Sequence, residues 1–471
     1  MSVMLLPNQP MPPDPTIRRN ARDRALKALI RSYHGEAFCH DLLAAWQAAE
    51  PLRLADAALA AELAIGVSRH RLTCEHLAAR FYRGRWLGLR LPLRTILALG
   101  VYQLCWLDRV PDHAAVDQAV RQAKRRGRGI AATVNAVLRK LAQCRGPIID
   151  RPNAPDPRRY LSLDARHGRL FNQSIFPDPA RRPLDYLIAA TSHPPWLVER
   201  WHRRFKPALC RQICQAGCRR PPLVLRPNAT RIDAPTLLAK LSAAGHDATL
   251  CDDGRAVRLL GPTTAAQLPE ITDGLCQPQD ATAQAALRLT PPHPCDLLVD
   301  LCAGVGTKST QAAEMMDDRG TVIATDLQED KLPAIAAAAR RLGLTIIQPT
   351  PIDQLNAAIA KQGKSPDLIL VDAPCLNTGV LARRPEARYR TGRKALETIV
   401  KIQRDILHRA RALAAPHTRI IYSTCSLEIE ENEEQIQSFC ATFPAWQILR
   451  QAFTLPNQTR DGGYAAVLSR K

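Results

Sequence analysis

Two cysteines and an aspartate stand directly behind two apolar segments in the last third of the chain. Asp372, Pro374 and Cys375 follow the run DLILV, and Thr424 and Cys425 follow the run RIIYS. Apolar runs of this length are typical of buried strands, and ligands of open parallel sheets bind beyond the carboxyl ends of the strands. An isolated cysteine usually packs as a small apolar residue. An ionised cysteine is a strong nucleophile, so the two strand-end positions favour catalysis over packing.

A third motif, DLCAGVGTKST (300–310), places a glycine turn between a short apolar run and a helix. Such a turn lets the backbone approach a ligand closely. Asp326 ends the next apolar run, where an acidic residue typically binds ribose hydroxyls. We therefore predict a site for a nucleoside-bearing cofactor, although an ordinary turn between strand and helix is the alternative. Phosphate binding is less favoured because the spacing GxxxxGK[ST] is absent. The predicted cofactor-binding residues here are Cys302, Ala303, Gly304, Val305, Gly306, Thr307, Lys308 and Asp326.

These motifs need a sheet to bring them together, and from Asp280 onward strands and helices alternate. This rhythm predicts a Rossmann-like α/β domain over residues 280–471, with a parallel sheet and helices on both faces. The predicted strands are 297–301, 321–325, 345–347, 368–371 and 419–423. The predicted helices are 307–316, 329–342, 353–361 and 393–414.

Four further segments precede this domain. Residues 1–16 predict a disordered arm, since they are rich in proline. Residues 17–145 have apolar residues at helical spacing and predict an all-α bundle of six or seven helices. Residues 146–183 predict a Pro-rich linker. Residues 184–279 predict a small α+β module, with a helix over 195–217.

The chain of 471 residues has a formal net charge of +21, with 65 Lys and Arg against 44 Asp and Glu. Residues 1–280 hold 42 basic and 24 acidic residues, so most of the excess lies there. This imbalance favours a polyanion such as nucleic acid, and a solubilising surface is the alternative. The segment RQAKRRGRG (121–129) suits phosphate contact, as do Arg383, Arg384, Arg388 and Arg390 beside Cys375.

Composition also excludes several classes of protein. An apolar content of 46% excludes a mostly disordered chain, and the apolar runs are shorter than the ~20 residues of a membrane helix. The first apolar run is too short for a signal peptide. The 14 cysteines then predict reduced thiols in the cytoplasm. Cys210, Cys214 and Cys218 share one helical face, where core packing is favoured over a metal site. We expect a monomer that binds neither metal nor membrane.

Residues 280–471 resemble the S-adenosylmethionine-dependent RNA (cytosine-5)-methyltransferases. The resemblance rests on the cofactor loop, on Asp-Ala-Pro-Cys at 372–375 and on Thr-Cys at 424–425, with Gln279-Asp280, Arg383–Glu386, Glu431-Asn432-Glu433 and Asp461-Gly462 as further matches. The family's cofactor loop usually has Ala-Ala-Pro-Gly-Gly-Lys-Thr, and its Pro-Cys is usually followed by serine. This chain instead has Ala-Gly-Val-Gly-Thr-Lys-Ser and Leu376, and it has Gly463-Tyr464 where the family has two phenylalanines.

The resemblance implies a role for each site residue. Cys425 is the nucleophile that adds to cytosine C6, Cys375 resolves the adduct, and Asp372 binds the cytosine N3/N4 edge and lies beside the cofactor, S-adenosyl-L-methionine. Lys308 is a candidate for lowering a thiol pKa, with a solvated lysine as the alternative. Asp353 is a candidate adenine contact, with a helix N-cap as the alternative.

Residues 17–145 resemble the NusB antitermination-factor fold, through pieces such as HAAVDQAV (113–120) and VNAVLR (134–139). Together with the methyltransferase resemblance this implies a 16S ribosomal RNA (cytosine-5)-methyltransferase. A tRNA cytosine-5 methyltransferase is one alternative. An inactive NusB-like RNA-binding or antitermination factor is another, against which the intact Cys375, Cys425 and Asp372 argue. A small-molecule methyltransferase leaves the basic front portion without a role.

Overall fold

The structure is a computed structural model that describes residues 20–150, 156–261 and 263–471. These residues form two compact units. The helical unit comprises the described residues up to Arg220 together with Leu381–Arg390, and the α/β unit comprises the remainder. The disordered arm predicted over residues 1–16 lies outside the described residues.

Six helices form the first part of the helical unit. They are α1 (Ala21–Tyr33), α2 (Cys39–Ala49), α3 (Leu54–Phe81), α4 (Leu91–Trp106), α5 (Asp112–Lys124) and α6 (Arg128–Cys144). Asn20 caps α1, since its side chain accepts a hydrogen bond from the Asp23 amide at 2.9 Å. Alanine and leucine at helical spacing bury one stripe of each helix in a shared core. The predicted helical bundle is therefore present.

The segment predicted as a linker over residues 146–183 contains a small sheet instead. Its strands are β1 (Arg145–Asp150), β2 (Tyr160–Ser162) and β3 (His167–Phe171), which pair antiparallel in the order β1-β3-β2. Leu161 and Phe171 of this sheet, with Ile175 and Phe176 after it, join the core of the helices. Strands of three to six residues are too short to show a periodicity among so many prolines, which is why the prediction was wrong here.

Three more helices belong to the helical unit, namely α7 (Pro183–Thr191), α8 (Pro195–Arg204) and α9 (Pro207–Cys218). The single helix predicted over 195–217 is divided, because proline at position 207 has no N–H to continue the helix. The boundary predicted at residue 184 for the α+β module differs from the structure, since α7, α8 and α9 cluster with the helical unit and the rest of the module, with its sheet, clusters with the α/β unit.

Leu381–Arg390 packs within the helical unit through Arg388, which is fully buried. Its guanidinium donates to the carbonyl oxygens of Thr191 (3.3 Å), Ser192 (3.1 Å) and Gly217 (2.7 Å). The prediction that Arg388 contacts RNA is therefore wrong, because a side chain without solvent exposure has no access to a phosphate.

A small antiparallel sheet opens the α/β unit. Its strands, in the order β5-β6-β4-β7, are β4 (Val224–Pro227), β5 (Ala248–Leu250), β6 (Val257–Leu259) and β7 (Cys276–Pro278). The helices α10 (Ala234–Ala243) and α11 (Pro269–Thr272) accompany it. Leu225, Leu237 and Val257 form its core.

A seven-stranded sheet forms the rest of the α/β unit, in the order β10-β9-β8-β11-β12-β14-β13. The strands are β8 (Leu297–Asp300), β9 (Thr321–Ala324), β10 (Ile347–Pro349), β11 (Leu368–Asp372), β12 (Arg419–Thr424), β13 (Trp446–Thr454) and β14 (Gly463–Arg470). The helices are α12 (Ala281–Arg288), α13 (Thr307–Met315), α14 (Leu332–Leu342), α15 (Leu355–Ala360), α16 (Arg393–Leu413) and α17 (Glu433–Thr442).

The first five strands of this sheet are parallel, whereas β14 pairs antiparallel with both β12 and β13. Successive residues of β8 and β11 enter the cores on opposite faces, as Val299 and Ile369 do on one face and Leu298 and Leu370 on the other. The sheet is thus mixed rather than wholly parallel. The predicted fold class of helical bundle, α+β module and Rossmann-like domain is confirmed. No helix within the described ranges is long and apolar enough to span a membrane.

Candidate active site

The turn between β8 and α13 is held by Asp300, the last residue of β8. Its carboxylate accepts hydrogen bonds from the Ser309 hydroxyl (2.7 Å) and the Cys302 amide (3.2 Å). Burial raises the pKa of Asp300 from 3.8 to about 7. Gly304 and Gly306 adopt left-handed backbone conformations (φ +57° and +84°), which favour glycine. The turn therefore has a fixed shape that exposes backbone groups before α13.

Asp326 lies beside this turn, two residues beyond β9. It accepts hydrogen bonds from the amides of Gly304 and Gln328, both at 2.9 Å, and its carboxylate is 3.3 Å from the Lys331 ammonium. Val305 and Leu327 expose 55% and 69% of their surface at this place. Oxygen acceptors next to exposed apolar side chains suit a ligand that has both hydroxyl groups and a flat apolar ring.

The open space at Gly304 fits the same kind of ligand. A Cβ atom built on Gly304 would meet nothing within 4 Å, whereas one on Gly306 would lie 3.0 Å from Ile335. The backbone at Gly304 is thus accessible, and Gly306 allows close packing against α14. The redistributed glycines of this loop thus leave one accessible backbone position and one close packing contact.

Asp353 is not part of this cluster of contacts. It is exposed in the turn between β10 and α15. The helix predicted over 353–361 begins at Leu355 with Gln354 as its N-cap, so the expectation that Asp353 caps it is wrong. Its predicted contact with a cofactor stays a prediction.

Cys375 and Cys425 lie together because β11 and β12 are neighbours in register, with Asp372 opposite Ser423. Their sulfur atoms are 3.1 Å apart. The hydrogen bond with the Cys425 sulfur, followed by burial, raises the pKa of Cys375 well above its usual value. Either thiol can be the donor in this contact, and the raised pKa of Cys375 favours the form of Cys375 that keeps its proton.

Asn377 holds both cysteines in place. Its carbonyl oxygen is 3.2 Å from the Cys425 sulfur, and its amide donates to the Cys375 carbonyl at 2.8 Å. Asn377 itself has a left-handed backbone (φ +60°), an uncommon conformation outside glycine. The loop after Cys375 is therefore bent so that this side chain reaches back to both cysteines.

Asp372 connects β12 to the first turn of α13, which follows the cofactor loop. The Ser423 hydroxyl donates to one carboxylate oxygen at 2.8 Å, and the Lys308 ammonium is 2.6 Å from the other. Lys308 comes from the first turn of α13. The observed partner of Lys308 is thus a carboxylate. The side chain of Asp372 remains partly exposed, with 36% of its surface accessible.

Four other cysteines lie in the cofactor loop and in α9 and take no part in the contact between Cys375 and Cys425. Burial raises the pKa of Cys302 in the cofactor loop well above its usual value, which disfavours the nucleophilic thiolate. Cys210 and Cys214 are buried in α9, and the Cys218 thiol donates to the Thr191 carbonyl at 2.7 Å. The described ranges hold no group of three His, Cys, Asp or Glu that could bind a metal ion.

Sequence reasoning missed three residues that organise the site, namely Asp300, Asn377 and Glu431. Asp300 was visible as the acid at the end of a strand. Glu431 was noted only as part of the match Glu431-Asn432-Glu433, and Asn377 gave no signal. The contacts of both residues depend on how two loops fold back on each other, which the sequence does not show.

The chain matches three families along its length. Residues 286–466 match the family described as 16S rRNA methyltransferase RsmB/F. Residues 19–143 match the NusB family, and residues 193–266 match the ferredoxin-like domain of RsmF/B-like methyltransferases.

Relatives with the same organisation are found in several bacteria. The probable ribosomal RNA small subunit methyltransferase B of Bacillus subtilis (strain 168) is 31% identical, and the match covers 91% of this chain and 90% of that protein. The protein with the same name from Synechocystis sp. (strain PCC 6803) is also 31% identical, with coverage of 84% and 83%.

Two solved structures share the fold of part of the chain. A methyltransferase homologue from Pyrococcus horikoshii has a TM-score of 0.52 at 20% identity and covers 60% of this chain and 98% of its own. NSun6 from Pyrococcus horikoshii with SFG has a TM-score of 0.52 at 17% identity, with coverage of 59% and 98%. At identities this low, the two structures indicate a shared fold and nothing about function.

Proposed function

The chain belongs to the 16S rRNA methyltransferase RsmB/F family, and we propose that it methylates C5 of a cytosine in 16S ribosomal RNA through an adduct between Cys425 and C6 of that cytosine. Its relatives establish it as an RNA methyltransferase. The observation that carries the cytosine assignment is the pair of sulfur atoms at 3.1 Å, beside Asp372 and the Asp300–Lys308 loop.

The residues around the β8–α13 turn fit S-adenosyl-L-methionine as the cofactor. The Asp326 carboxylate would receive the ribose hydroxyls, and the exposed Val305 and Leu327 would contact the adenine. The structural relative with SFG, an analogue of S-adenosylmethionine, supports this choice. When bound, S-adenosylmethionine supplies an electrophilic methyl group on a sulfonium sulfur.

Cys425 makes the cytosine reactive. C5 of cytosine is a poor nucleophile, but addition of the Cys425 thiolate to C6 makes C5 enamine-like, so that C5 can form the new bond to carbon. The Cys375 S–H stabilises this thiolate across 3.1 Å before the addition. In the resting state the Cys425 thiol donates to the Asn377 oxygen, which holds the sulfur ready for attack.

Asp372 positions the base and balances charge. The carboxylate of Asp372 is partly exposed, and in our proposal it accepts a hydrogen bond from the cytosine N4 amino group. Lys308 and Ser423 hold the carboxylate in one orientation. Contact with N3 requires that Asp372 also carries a proton when the negative charge develops on the ring.

Cys375 assists release of the product. After methylation C5 loses its proton to water, the C5–C6 double bond re-forms, and the C6–S bond breaks with its electron pair returning to Cys425. Donation from the Cys375 S–H stabilises the departing thiolate at this moment. Without Cys375 the adduct should persist, because the bond then breaks without that stabilisation.

The RNA is bound in large part by the helical unit in this proposal. The segment 121–129 joins α5 to α6, and its basic side chains are exposed. Their positive charge suits the phosphate backbone, which contributes affinity without sequence information. C5 and C6 lie inside stacked helices, so the target cytosine is in a loop or is extruded from the stack.

Methyl transfer from labelled S-adenosylmethionine tests the proposal. Purified protein is given 16S ribosomal RNA or tRNA, and label in 5-methylcytosine is measured after nucleoside digestion. We expect transfer to 16S RNA that is lost in Cys425→Ala. Transfer to tRNA alone would establish the tRNA alternative, and full activity in Cys425→Ala would exclude the covalent mechanism. Absence of transfer to either RNA would favour an inactive RNA-binding factor.

A further inference from the structure

A buried carboxylate joins the two loops that carry the cysteines. Glu431 ends a short 3-10 helix, Ile429–Glu431, and its side chain is fully buried in the α/β unit. One of its oxygens accepts hydrogen bonds from the amide of Leu376 (3.0 Å) and from the side-chain amide of Gln403 (2.9 Å). Leu376 directly follows Cys375 in the chain.

The second oxygen of Glu431 binds the other loop. It accepts a hydrogen bond from the hydroxyl of Ser426, the residue that follows Cys425. Gln403, a buried residue of α16, also donates to the carbonyl of Pro374, which precedes Cys375, at 2.9 Å. One carboxylate and one amide thus bind the chain on both sides of Cys375 and just after Cys425.

The turn that contains Glu431 is itself tied to β12. The Tyr422 hydroxyl donates to the Glu431 carbonyl at 2.7 Å. The Thr424 hydroxyl donates to the Asn432 side chain at 2.6 Å, and that side chain donates to the Ser426 carbonyl at 3.0 Å. Glu431 therefore reaches the Cys375 loop from a rigid support.

Placing a carboxylate between these loops has an energetic cost. Burial disfavours the charged form and raises the pKa of Glu431 to about 7. Leu376, Gln403 and Ser426 partly offset this cost, and all three are neutral donors. A buried carboxylate is costly unless its oxygens are hydrogen-bonded, and both oxygens of Glu431 bind the loops that carry the cysteines, which indicates a positional role.

We propose that Glu431 is a positioning residue that holds the Cys375 and Cys425 loops at the separation which methyl transfer requires. This inference rests on the proposed function, because it concerns the same two cysteines. Misplacement of reacting groups by about 1 Å lowers rates by about 100-fold. Contacts of Glu431 do not include the cofactor loop, so its loss should lower kcat with little change in the KM for S-adenosylmethionine.

The test compares Glu431→Ala, Glu431→Gln and the control Glu434→Ala, which removes an exposed carboxylate from α17. The glutamine oxygen can still accept from Leu376 and Gln403, while its amide can donate to the Ser426 oxygen. We expect kcat to fall by about 30-fold or more in Glu431→Ala, with KM values changed by less than about threefold. Glu431→Gln should restore most of the turnover, and Glu434→Ala should match the parent protein.

A second readout needs neither RNA nor methyl transfer. The oxidant diamide links two nearby thiols, taking up their two protons and two electrons as its N=N bond is reduced. Peptide mass spectrometry then gives the rate at which the Cys375–Cys425 disulfide forms in the full chain. We expect a rate at least about tenfold slower in Glu431→Ala, and a rate close to the parent rate in Glu431→Gln and Glu434→Ala.

An unchanged kcat together with an unchanged disulfide rate in Glu431→Ala would overturn the inference. It would also be overturned if Glu431→Gln formed the disulfide as slowly as Glu431→Ala. If Glu431→Ala does not fold, Gln403→Ala and Ser426→Ala each remove one hydrogen-bond partner of the Glu431 carboxylate. Both variants should then form the disulfide more slowly, and the parent rate in both would contradict the positioning role of Glu431. Should the parent protein methylate neither RNA, the proposed function fails while the disulfide rates still decide the role of Glu431.

Discussion

At the scale of single residues, the site divides into groups that react and groups that hold them. Cys425 and Cys375 share a hydrogen bond, and Asp372 forms an ion pair with Lys308. Asp326 stands apart from this chemistry, since its neighbours are the amides of the cofactor loop. Loss of Asp326 should therefore weaken cofactor binding and leave the thiols unaffected.

Asp326→Asn should bind S-adenosylmethionine about 10- to 100-fold more weakly, because a hydrogen bond to a charged group contributes about 1.5–3 kcal/mol. Isothermal titration calorimetry measures this directly. Asp330→Asn, an exposed acid in the turn Glu329–Lys331, is the matched control. Equal affinities in the two variants would contradict the assignment of Asp326.

Asp300 should make stability depend on pH. Its pKa is about 7 in the folded protein against an ordinary value of 3.8. Between these values the folded state retains a proton that the unfolded state has lost, so the free energy of unfolding should fall as pH rises from about 4 to about 7.

The pH dependence is measured by urea denaturation at several pH values. In Asp300→Asn the free energy of unfolding should decrease less steeply with pH. The change Asp405→Asn, at an exposed position, should leave the pH dependence unchanged. A fall of the same steepness in Asp300→Asn would mean that other groups, such as Glu431 with its own raised pKa, carry the whole effect.

The positions of the residues that we propose to react were predictable from the sequence, whereas the contacts of the residues around them were not. Cys375, Cys425 and Asp372 follow apolar runs, and parallel strands bring their carboxyl ends to one edge. Asn377 reaches the cysteines only because its backbone turns into the left-handed region. A turn of this kind leaves no periodic pattern in the sequence.

At the scale of elements, order and type were more predictable than pairing. The five parallel strands follow from their apolar runs. The strands β13 and β14 were missed, since β13 mixes exposed and buried positions without alternation. Four arginines, at positions 383, 384, 388 and 390, were expected to contact RNA because they are basic and lie close to Cys375 in sequence. The grouping of Leu381–Arg390 with the helical unit arises from contacts that only the fold creates.

Arg388 should therefore act as a structural anchor. Arg388→Met leaves the carbonyls of Thr191, Ser192 and Gly217 without their donor, and we expect the free energy of unfolding to fall by about 2–5 kcal/mol. Urea denaturation measures the change. Arg384→Met changes an exposed arginine of the same segment and should have little effect. Equal stability of both variants would contradict the anchor.

At the scale of the whole molecule, the positive charge is divided unevenly along the chain. The first 280 residues hold 42 basic against 24 acidic residues, and the last 191 hold 23 against 20. The residues that we propose to react belong to the nearly balanced portion. The sequence alone predicted this division, because net charge needs no knowledge of packing.

The variant with Lys124, Arg126 and Arg128 changed to alanine should bind RNA more weakly and with less dependence on salt. Each lost phosphate contact lowers the slope of log K against log salt by about 0.7–0.9, so a decrease of about 2 is expected. Filter binding over a series of KCl concentrations measures it. Alanine at the exposed Lys240, Lys361 and Lys401 removes the same charge from the α/β unit. An equal fall in RNA affinity and in salt dependence for this second variant would indicate nonspecific electrostatic attraction.

The most direct test of the covalent mechanism is a denaturing gel of Cys375→Ala mixed with 16S ribosomal RNA and S-adenosylmethionine. We predict a protein–RNA adduct that survives denaturation, with mass spectrometry placing the linked nucleotide on Cys425. The double variant Cys375→Ala, Cys425→Ala should form none. An adduct on another residue, or efficient turnover by the double variant, would contradict the assignment of Cys425 as the nucleophile.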